Sequence, residues 1–304
     1  MNHQIRGILA LLLVTLVWGT TFPAMKDLTA YLSPVWIVLL RFALAALVLS
    51  PFLWRASGAD LRSGALLGVL LFLCFVFQVE GLALTSSNRN AFLCGLNVLM
   101  VPLLGMLGGR APERRIVLAL GLAVGGLFAL CWDGGGWGRG DNLALLCAFC
   151  YAVYISMLEG RSRRADRLMS LTAMQITTVA LCATLWLLVR EVPRSAIDLA
   201  QDGGNYWHYI GRAVGAHWLN LAYLGLVATA AIISLQSWGQ KHSSANEAAV
   251  IFAFEPACAA MFAFFWLGET MTARGWLGAA LLISGMIVSQ WNATPPRPPA
   301  LAPD

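Results

Sequence analysis

Three ionisable side chains, Arg41, Glu80 and Glu255, lie inside long apolar stretches of the 304-residue sequence. A charge in the hydrocarbon region of a membrane is costly, so such residues are candidates for binding sites or proton pathways. The planar guanidinium of Arg41 presents parallel donors, which predicts an anchor for a carboxylate group of a ligand. The alternative is a structural contact with Glu80, which shares its predicted depth, or with backbone carbonyl groups.

Glu255 is a candidate proton carrier. At 1.5 Å per residue it lies about 15 Å along its predicted helix, which is near the middle of a bilayer. A carboxyl group at that depth can exchange a proton and couple export of a solute to proton entry. The alternative is a carboxyl group that hydrogen-bonds backbone groups freed by the neighbouring Pro256.

Four uncharged residues complete the predicted binding site. Gln78, Asn97 and Gln175 carry amide groups that are unfavourable in lipid without a partner, so each should face the interior of a helix bundle. Trp18 offers a wide aromatic ring that can stack on a ligand, and the adjacent Gly19 permits close approach or bending. Interhelical packing is the alternative role for all four side chains, and the sequence leaves both roles open.

Chemistry other than binding finds little support in the sequence. Its four histidines fall in predicted loops or tails, and it contains neither an H-E-x-x-H motif nor a Walker A motif. Cys147 and Cys150 form a C-x-x-C pair inside an apolar run, without the further donors that a metal site needs. We therefore assign no catalytic residue, metal or cofactor, and no direct use of ATP.

The composition excludes a soluble protein. Hydrophobic residues make up 59% of the chain, charged residues 12%, and mean hydropathy is +0.72. A soluble domain is about 45–50% apolar and about 25% charged, so too few polar groups are present to cover a water-facing surface. The net charge of +5 is spread over short loops, which argues against a nucleic-acid partner. The chain is therefore predicted to be an integral membrane protein.

Ten segments are long and apolar enough to cross about 30 Å of hydrocarbon as helices. These predicted spans are 7–25, 34–54, 64–84, 91–108, 115–132, 141–159, 168–189, 218–238, 245–265 and 275–291.

The loops between the spans predict the orientation. If the N-terminus is cytoplasmic, the inner segments hold 12 basic residues and the short outer loops hold 4, which the positive-inside rule favours. Both termini are therefore predicted to be cytoplasmic. The long segment 190–217 becomes an extracytoplasmic loop with an interfacial aromatic cluster, and the Pro-rich segment 292–304 a cytoplasmic tail.

Two stretches of the sequence repeat weakly. Pro102 in the fourth predicted span corresponds to Pro256 in the ninth, and Gly109–Gly126 then aligns with Gly268–Gly285. Five spans per repeat is an odd number, so residues 1–135 and 136–291 are predicted to have opposite orientation in the membrane. Inverted repeats with Pro-interrupted helices at equivalent positions are typical of transporters that bind their substrate between the halves.

Several local motifs resemble those of the EamA-type family in the drug/metabolite transporter superfamily. They are Leu16-Val17-Trp18-Gly19-Thr20-Thr21-Phe22, Leu39-Leu40-Arg41-Phe42, Ala83-Leu84-Thr85-Ser86-Ser87-Asn88, Phe254-Glu255-Pro256-Ala257 and Trp266-Leu267-Gly268-Glu269-Thr270-Met271-Thr272. The first half departs from the family pattern, since Arg110 occupies the position that corresponds to Glu269.

The resemblance implies an all-α membrane protein of ten transmembrane helices, arranged as two inverted five-helix repeats around a central cavity. It also implies a secondary transporter in the plasma or inner membrane that exports an amino acid or another small metabolite by alternating access. The expected partners are that small molecule and the lipid bilayer. The faces Gly105-x-x-x-Gly109 and Gly121-x-x-x-Gly125 can pack within one chain or in a homodimer. The alternative function is that of a non-transporting membrane sensor or assembly protein.

Overall fold

The computed structural model describes residues 3–107, 109, 112–131, 136–193, 206–267 and 272–291. Regular structure in these ranges is helical, without strands. The predicted Pro-rich tail 292–304, Arg110, Glu269 and much of the predicted loop 190–217 lie outside the described residues.

Within these ranges the chain forms α-helices separated by short turns, one 3₁₀-helix and two π-helical segments. The α-helices are α1 (His3–Gly19), α2 (Thr21–Leu28), α3 (Pro34–Leu49), α4 (Gly58–Leu84), α5 (Ser87–Gly95), α6 (Asn97–Leu107), α7 (Arg114–Cys131), α8 (Arg139–Arg164), α9 (Leu168–Trp186), α10 (Tyr206–Ala216), α11 (Trp218–Ala222), α12 (Ile232–Lys241), α13 (Ala245–Phe252), α14 (Glu255–Leu267) and α15 (Ala273–Gln290). The 3₁₀-helix covers Ser50–Arg55, and the π-helical segments cover Leu187–Glu191 and Tyr223–Ala231.

Seven helical stretches of the described residues are long and apolar enough to cross a membrane. They are His3–Leu28, Pro34–Arg55, Gly58–Leu84, Arg89–Leu107, Arg139–Arg164, Leu168–Val189 and Trp218–Lys241. Each coincides with a predicted span, and the other three predicted spans coincide with α7, with α13 and α14 together, and with α15. The protein is thus a multi-pass, all-helical membrane protein, and the count of ten crossings stays a prediction.

Three of the predicted spans are broken rather than continuous. The interruptions lie at Thr20, at Leu96 and at Ala253–Phe254. The hydroxyl of Thr20 donates to the Val17 carbonyl at 2.7 Å, which competes with the backbone ladder of a continuing helix. Each of the predicted spans 7–25, 91–108 and 245–265 therefore contains two helices, and in 91–108 the break lies at Leu96 rather than at Pro102.

The second and third breaks have related local causes. The side-chain amide of Asn97 donates to the Cys94 carbonyl at 2.8 Å, a carbonyl that an unbroken helix would pair with a backbone N–H. Pro256 has no N–H to continue a helix, but it fits in the first turn of α14, where that N–H would be unsatisfied anyway. Pro102, in contrast, lies inside α6, so the interruption there comes before the proline.

Close helix packing surrounds these breaks. A Cβ atom on Gly19 would lie 2.7 Å from Cβ of Cys258, so α1 approaches α14 directly at that glycine. Helix α7 packs along α15 through Gly126, where a Cβ atom would lie 2.8 Å from the Gly278 carbonyl oxygen. In the predicted contact face Gly121-x-x-x-Gly125, Gly121 has no neighbour within 4 Å, and a Cβ atom on Gly125 would lie 4.0 Å from Leu281.

Candidate functional site

The three helix breaks border one central cavity of about 50 Å³. This is room for a few water molecules, at roughly 10–15 Å³ for each. Five of the seven predicted site residues line the cavity: Trp18, Arg41, Gln78, Asn97 and Glu255. These five side chains are far apart in the sequence and come from five helices, and they meet at one place.

Arg41 is fully buried on α3 and is held by neutral groups. Its Nε donates to Oγ1 of Thr229 at 2.9 Å, and its terminal nitrogens approach Sδ of Met25 at 3.2 Å and the Ala228 carbonyl at 3.4 Å. The guanidinium also lies over the ring of Phe75, 4.7 Å from its centroid. A guanidinium has five N–H donors, so one on each terminal nitrogen has no partner among the described residues.

The expected pairing of Arg41 with Glu80 is not found. The polar partners of Arg41 lie on other elements, because the guanidinium turns toward Met25 and the Tyr223–Ala231 segment rather than toward the outer part of α4. Of the two structural contacts considered from the sequence, the one with a backbone carbonyl is present. The charge of Arg41 is left without a directly bonded carboxylate within the described structure.

The π-helical segment supplies the groups that hold Arg41. Thr229 donates its hydroxyl to the Leu224 carbonyl at 2.7 Å, five residues earlier, while it accepts from Arg41. The Ala228 carbonyl accepts from both Trp18 Nε1, at 3.2 Å, and Arg41. Such π-helical turns are frequent at functional sites. The sequence analysis missed Thr229, and its hydroxyl within an apolar span was the available signal.

Glu255 is the first residue of α14 and faces the same cavity. Its position at a helix N-terminus suits a negative charge, because backbone N–H groups point toward it. Arg41 attracts it electrostatically, and its carboxylate has no hydrogen-bond partner among the described residues. The cavity therefore contains one basic and one acidic side chain, neither engaged in a direct ion pair with the other.

Asn97 and Gln78 form a polar part of the wall. The Oδ1 atom of Asn97 is buried and has no hydrogen-bond partner among the residues described. An unsatisfied buried acceptor is unfavourable, and it can be satisfied by a ligand or a water molecule in the cavity. Gln78 lies beside it on α4 and also lines the cavity.

Aromatic rings form the facing wall. Trp18 lies 5.5 Å from Phe252 and 6.1 Å from Tyr151, measured between ring centroids. Tyr151 and Phe252 also line the cavity, and the sequence analysis did not select them. Phe252 precedes Glu255 by almost one helical turn, which was the available signal for it.

The other two predicted site residues lie outside the cavity. Gln175 accepts a hydrogen bond from Tyr154 at 3.1 Å and donates to Ser237 at 3.1 Å. It therefore joins α8, α9 and α12, which is the interhelical role that the sequence left open. Glu80 is half-buried on α4, away from the cavity lining.

This arrangement defines a class of protein: a multi-helix membrane protein with polar and charged side chains around a central cavity, which is a solute transporter. The chain belongs to the EamA-like transporter family, whose profile matches residues 5–132 and 138–290. It is a membrane transporter by this membership.

Similar proteins agree with that class. Two proteins of Archaeoglobus fulgidus, each named an uncharacterized transporter, are 28% and 25% identical to this chain. The first alignment covers 92% of this chain and 84% of the relative, and the second covers 83% and 85%. A solved crystal structure is 18% identical and has a TM-score of 0.73, over 94% of this chain and 96% of that one, which shows a common fold.

Proposed function

We propose that this protein is a secondary transporter that exports an amino acid or a related small metabolite by alternating access. The observation that carries the proposal is the pair Arg41 and Glu255, which face one cavity without a direct ion pair between them. A zwitterion is complementary to such a pair. Its carboxylate fits the free N–H donors of Arg41, and its ammonium group fits the carboxylate of Glu255.

The remaining cavity wall supports a substrate with an apolar part. Trp18, Tyr151 and Phe252 offer ring faces and edges on one side. Asn97 offers its unsatisfied acceptor on another side. A small amphipathic metabolite matches this distribution, with its charged end near Arg41 and its side chain against the rings.

Alternating access is supported by the helix breaks and by the size of the cavity. The breaks at Leu96 and Ala253–Phe254 lie in the fourth predicted span of each half, as an inverted repeat would place them. A cavity of about 50 Å³ is too narrow for an amino acid, so the walls must move apart to admit one. We propose that the halves 1–135 and 136–291, with five predicted spans each, rock against each other around the central cavity.

The membrane location and the energy source complete the proposal. We propose a location in the plasma or inner membrane, and the basic residues of the loops favour an orientation with both termini in the cytoplasm. Glu255 is the side chain proposed to exchange a proton during the cycle, so that the proton gradient drives export. A homodimer is compatible with the open Gly121 face and is left to measurement of the oligomeric state.

Counterflow in proteoliposomes tests the proposal. Purified full-length protein is reconstituted, loaded with each of the common amino acids in turn, and assayed for uptake of the same labelled compound. We expect counterflow for a subset of them and none for the corresponding carboxamides, which lack the anionic group. Empty liposomes are the control. Absence of counterflow for every amino acid, or equal counterflow of acids and carboxamides, contradicts the proposed substrate class, and binding without flux favours a sensor.

A further inference from the structure

A second, larger opening lies at one end of the helix bundle, away from the central cavity. It is a groove of about 690 Å³ between the Ser50–Arg55 helix, the start of α9 and the end of α12. The hydroxyl of Ser170 donates to the Phe52 carbonyl at 2.8 Å and ties the first two of these elements together. The groove therefore lies where three predicted spans, 34–54, 168–189 and 218–238, reach the same membrane surface.

Two arginines mark the polar part of this groove. Arg55 and Arg167 both line it, both are exposed, and neither forms an ion pair with another described residue. Asp60, the acid on the neighbouring turn, is buried, and its carboxylate accepts the backbone N–H groups of Asp166 and Arg167 at 3.3 and 3.0 Å. Asp166 itself is exposed next to Arg167 and does not line the groove. Two positive charges are thus left for a ligand from outside the chain.

The rest of the groove is apolar and aromatic. Phe52, Leu168, Met169 and Trp238 line it, and the indole of Trp54 is 92% exposed at its edge. Tryptophan is enriched where a bilayer changes from hydrocarbon to headgroups. Positive charge and apolar surface therefore adjoin at the boundary between hydrocarbon and headgroups. Basic pockets between membrane helices are known to bind anionic headgroups.

We infer that this groove binds one anionic phospholipid, with the phosphate between Arg55 and Arg167 and an acyl chain along Phe52 and Trp238. A free phosphate would use only the arginines and leave the apolar wall uncovered, whereas a phospholipid covers both. The lipid would contact residues of 1–135 and of 136–291 together. The inference concerns a site separate from the cavity and does not depend on the identity of the transported solute.

Native mass spectrometry of the purified full-length protein tests this inference. The protein is titrated with phosphatidylglycerol or with phosphatidylcholine of identical acyl chains. We expect retention of phosphatidylglycerol in preference to phosphatidylcholine, and a similar preference in the rise of melting temperature that each lipid causes. Arg55→Gln together with Arg167→Gln should weaken phosphatidylglycerol binding roughly thirtyfold, at about fivefold for each arginine near the membrane surface.

The matched control replaces Arg62 and Arg164, two exposed arginines outside the groove, with glutamine. It removes the same charge and should leave the preference unchanged. Ser234→Leu fills the apolar part of the groove and should lower retention while both arginines remain. Equal binding of the two lipids by the unsubstituted protein, an equal loss in the control, or equal stabilisation by inorganic phosphate overturns the inference.

Discussion

Arg41 contributes a charge whose directly bonded partners are all neutral, and we therefore propose it as the main residue for recognition of an anionic group on the ligand. Thr229, Met25 and the Ala228 carbonyl fix its orientation without neutralising it. Folding has already removed this guanidinium from water, so its desolvation cost is not incurred again when an anion binds. Binding of an anion is therefore favourable. In the proposed function, a bound carboxylate supplies the anionic partner that Arg41 lacks.

Replacement of Arg41 tests this role at the level of one side chain. Arg41→Ala should lower counterflow of carboxylate-bearing substrates roughly a hundredfold, since two charge-assisted hydrogen bonds are lost. Arg41→Lys keeps the charge but lacks the planar fork, and should have an intermediate effect. Counterflow rates of an amino acid and of its carboxamide provide the measurement. An equal loss for both compounds would return Arg41 to a structural role.

Replacement of Glu255 tests the proposed proton coupling. Glu255→Gln keeps the size of the side chain but cannot bind and release a proton, so accumulation driven by a pH gradient should be lost. Exchange of substrate at equal pH should continue at a measurable rate. Asp166→Asn, a similar replacement at an exposed position outside the cavity, serves as the control. Unchanged pH dependence in Glu255→Gln would remove the carboxyl group from this role.

Helix interruptions are the main feature at the level of elements. They bring Trp18, Asn97 and Glu255 to one place, because each residue lies within two positions of a break. Ends of helices expose backbone groups that a continuous helix would occupy. Most side chains that line the cavity are apolar. The polar groups at the helix ends nevertheless give it a polar part.

Sequence reasoning located these elements better than it located their contacts. Apolar length identified the helical segments, the cost of buried polar groups selected four of the cavity residues, and the wide aromatic ring selected Trp18. The break at Leu96 was not predicted, because it depends on the Asn97 side chain bonding the Cys94 carbonyl. The contact of Arg41 with Thr229 was not predicted either, since it depends on a π-helical turn 188 residues away, for which no local pattern exists.

Gly19 is the point at which two broken helices approach most closely, and its replacement tests their packing. Gly19→Ala places a methyl group 2.7 Å from Cβ of Cys258, so it should lower the free energy of unfolding by about 1–3 kcal/mol. Gly121→Ala is the matched control, because its methyl group meets nothing within 4 Å. Melting temperatures in detergent measure both. Equal melting temperatures of the two variants would contradict the close approach.

Among the described residues, two ion pairs join the proposed halves 1–135 and 136–291 at different places. Arg89 at the start of α5 pairs with Asp141 at the start of α8, with Nε to Oδ1 at 2.7 Å, and both side chains are buried. Arg115 at the start of α7 pairs with Glu247 at the start of α13 at 3.4 Å, and also contacts the Ser289 carbonyl. In the proposed topology the first pair lies at the outer surface and the second at the inner surface.

We propose that, in this topology, each ion pair acts as a gate in alternating access. When the cavity opens to one side, residues of 1–135 and 136–291 must separate there, so the pair on that side must break. The pair on the other side holds the halves together. Removal of both charges of one pair should favour the conformation open to that side, and it leaves no single charge buried without a partner.

Accessibility of Cys147, which lines the cavity, measures this shift. In a variant in which it is the only cysteine, Arg89→Gln with Asp141→Asn should speed its reaction with a membrane-impermeant thiol reagent added outside, by roughly tenfold for a shift of about 1.4 kcal/mol. Arg115→Gln with Glu247→Gln should instead speed the reaction from the cytoplasmic side in inverted vesicles. Each double variant is the control for the other, since both remove an ion pair between the proposed halves. Arg115→Gln also removes the contact of Arg115 with the exposed Glu113 at 2.6 Å. The same change in both variants, or an increase on the opposite side, would contradict the assignment of the gates, because only a break on the open side admits the reagent.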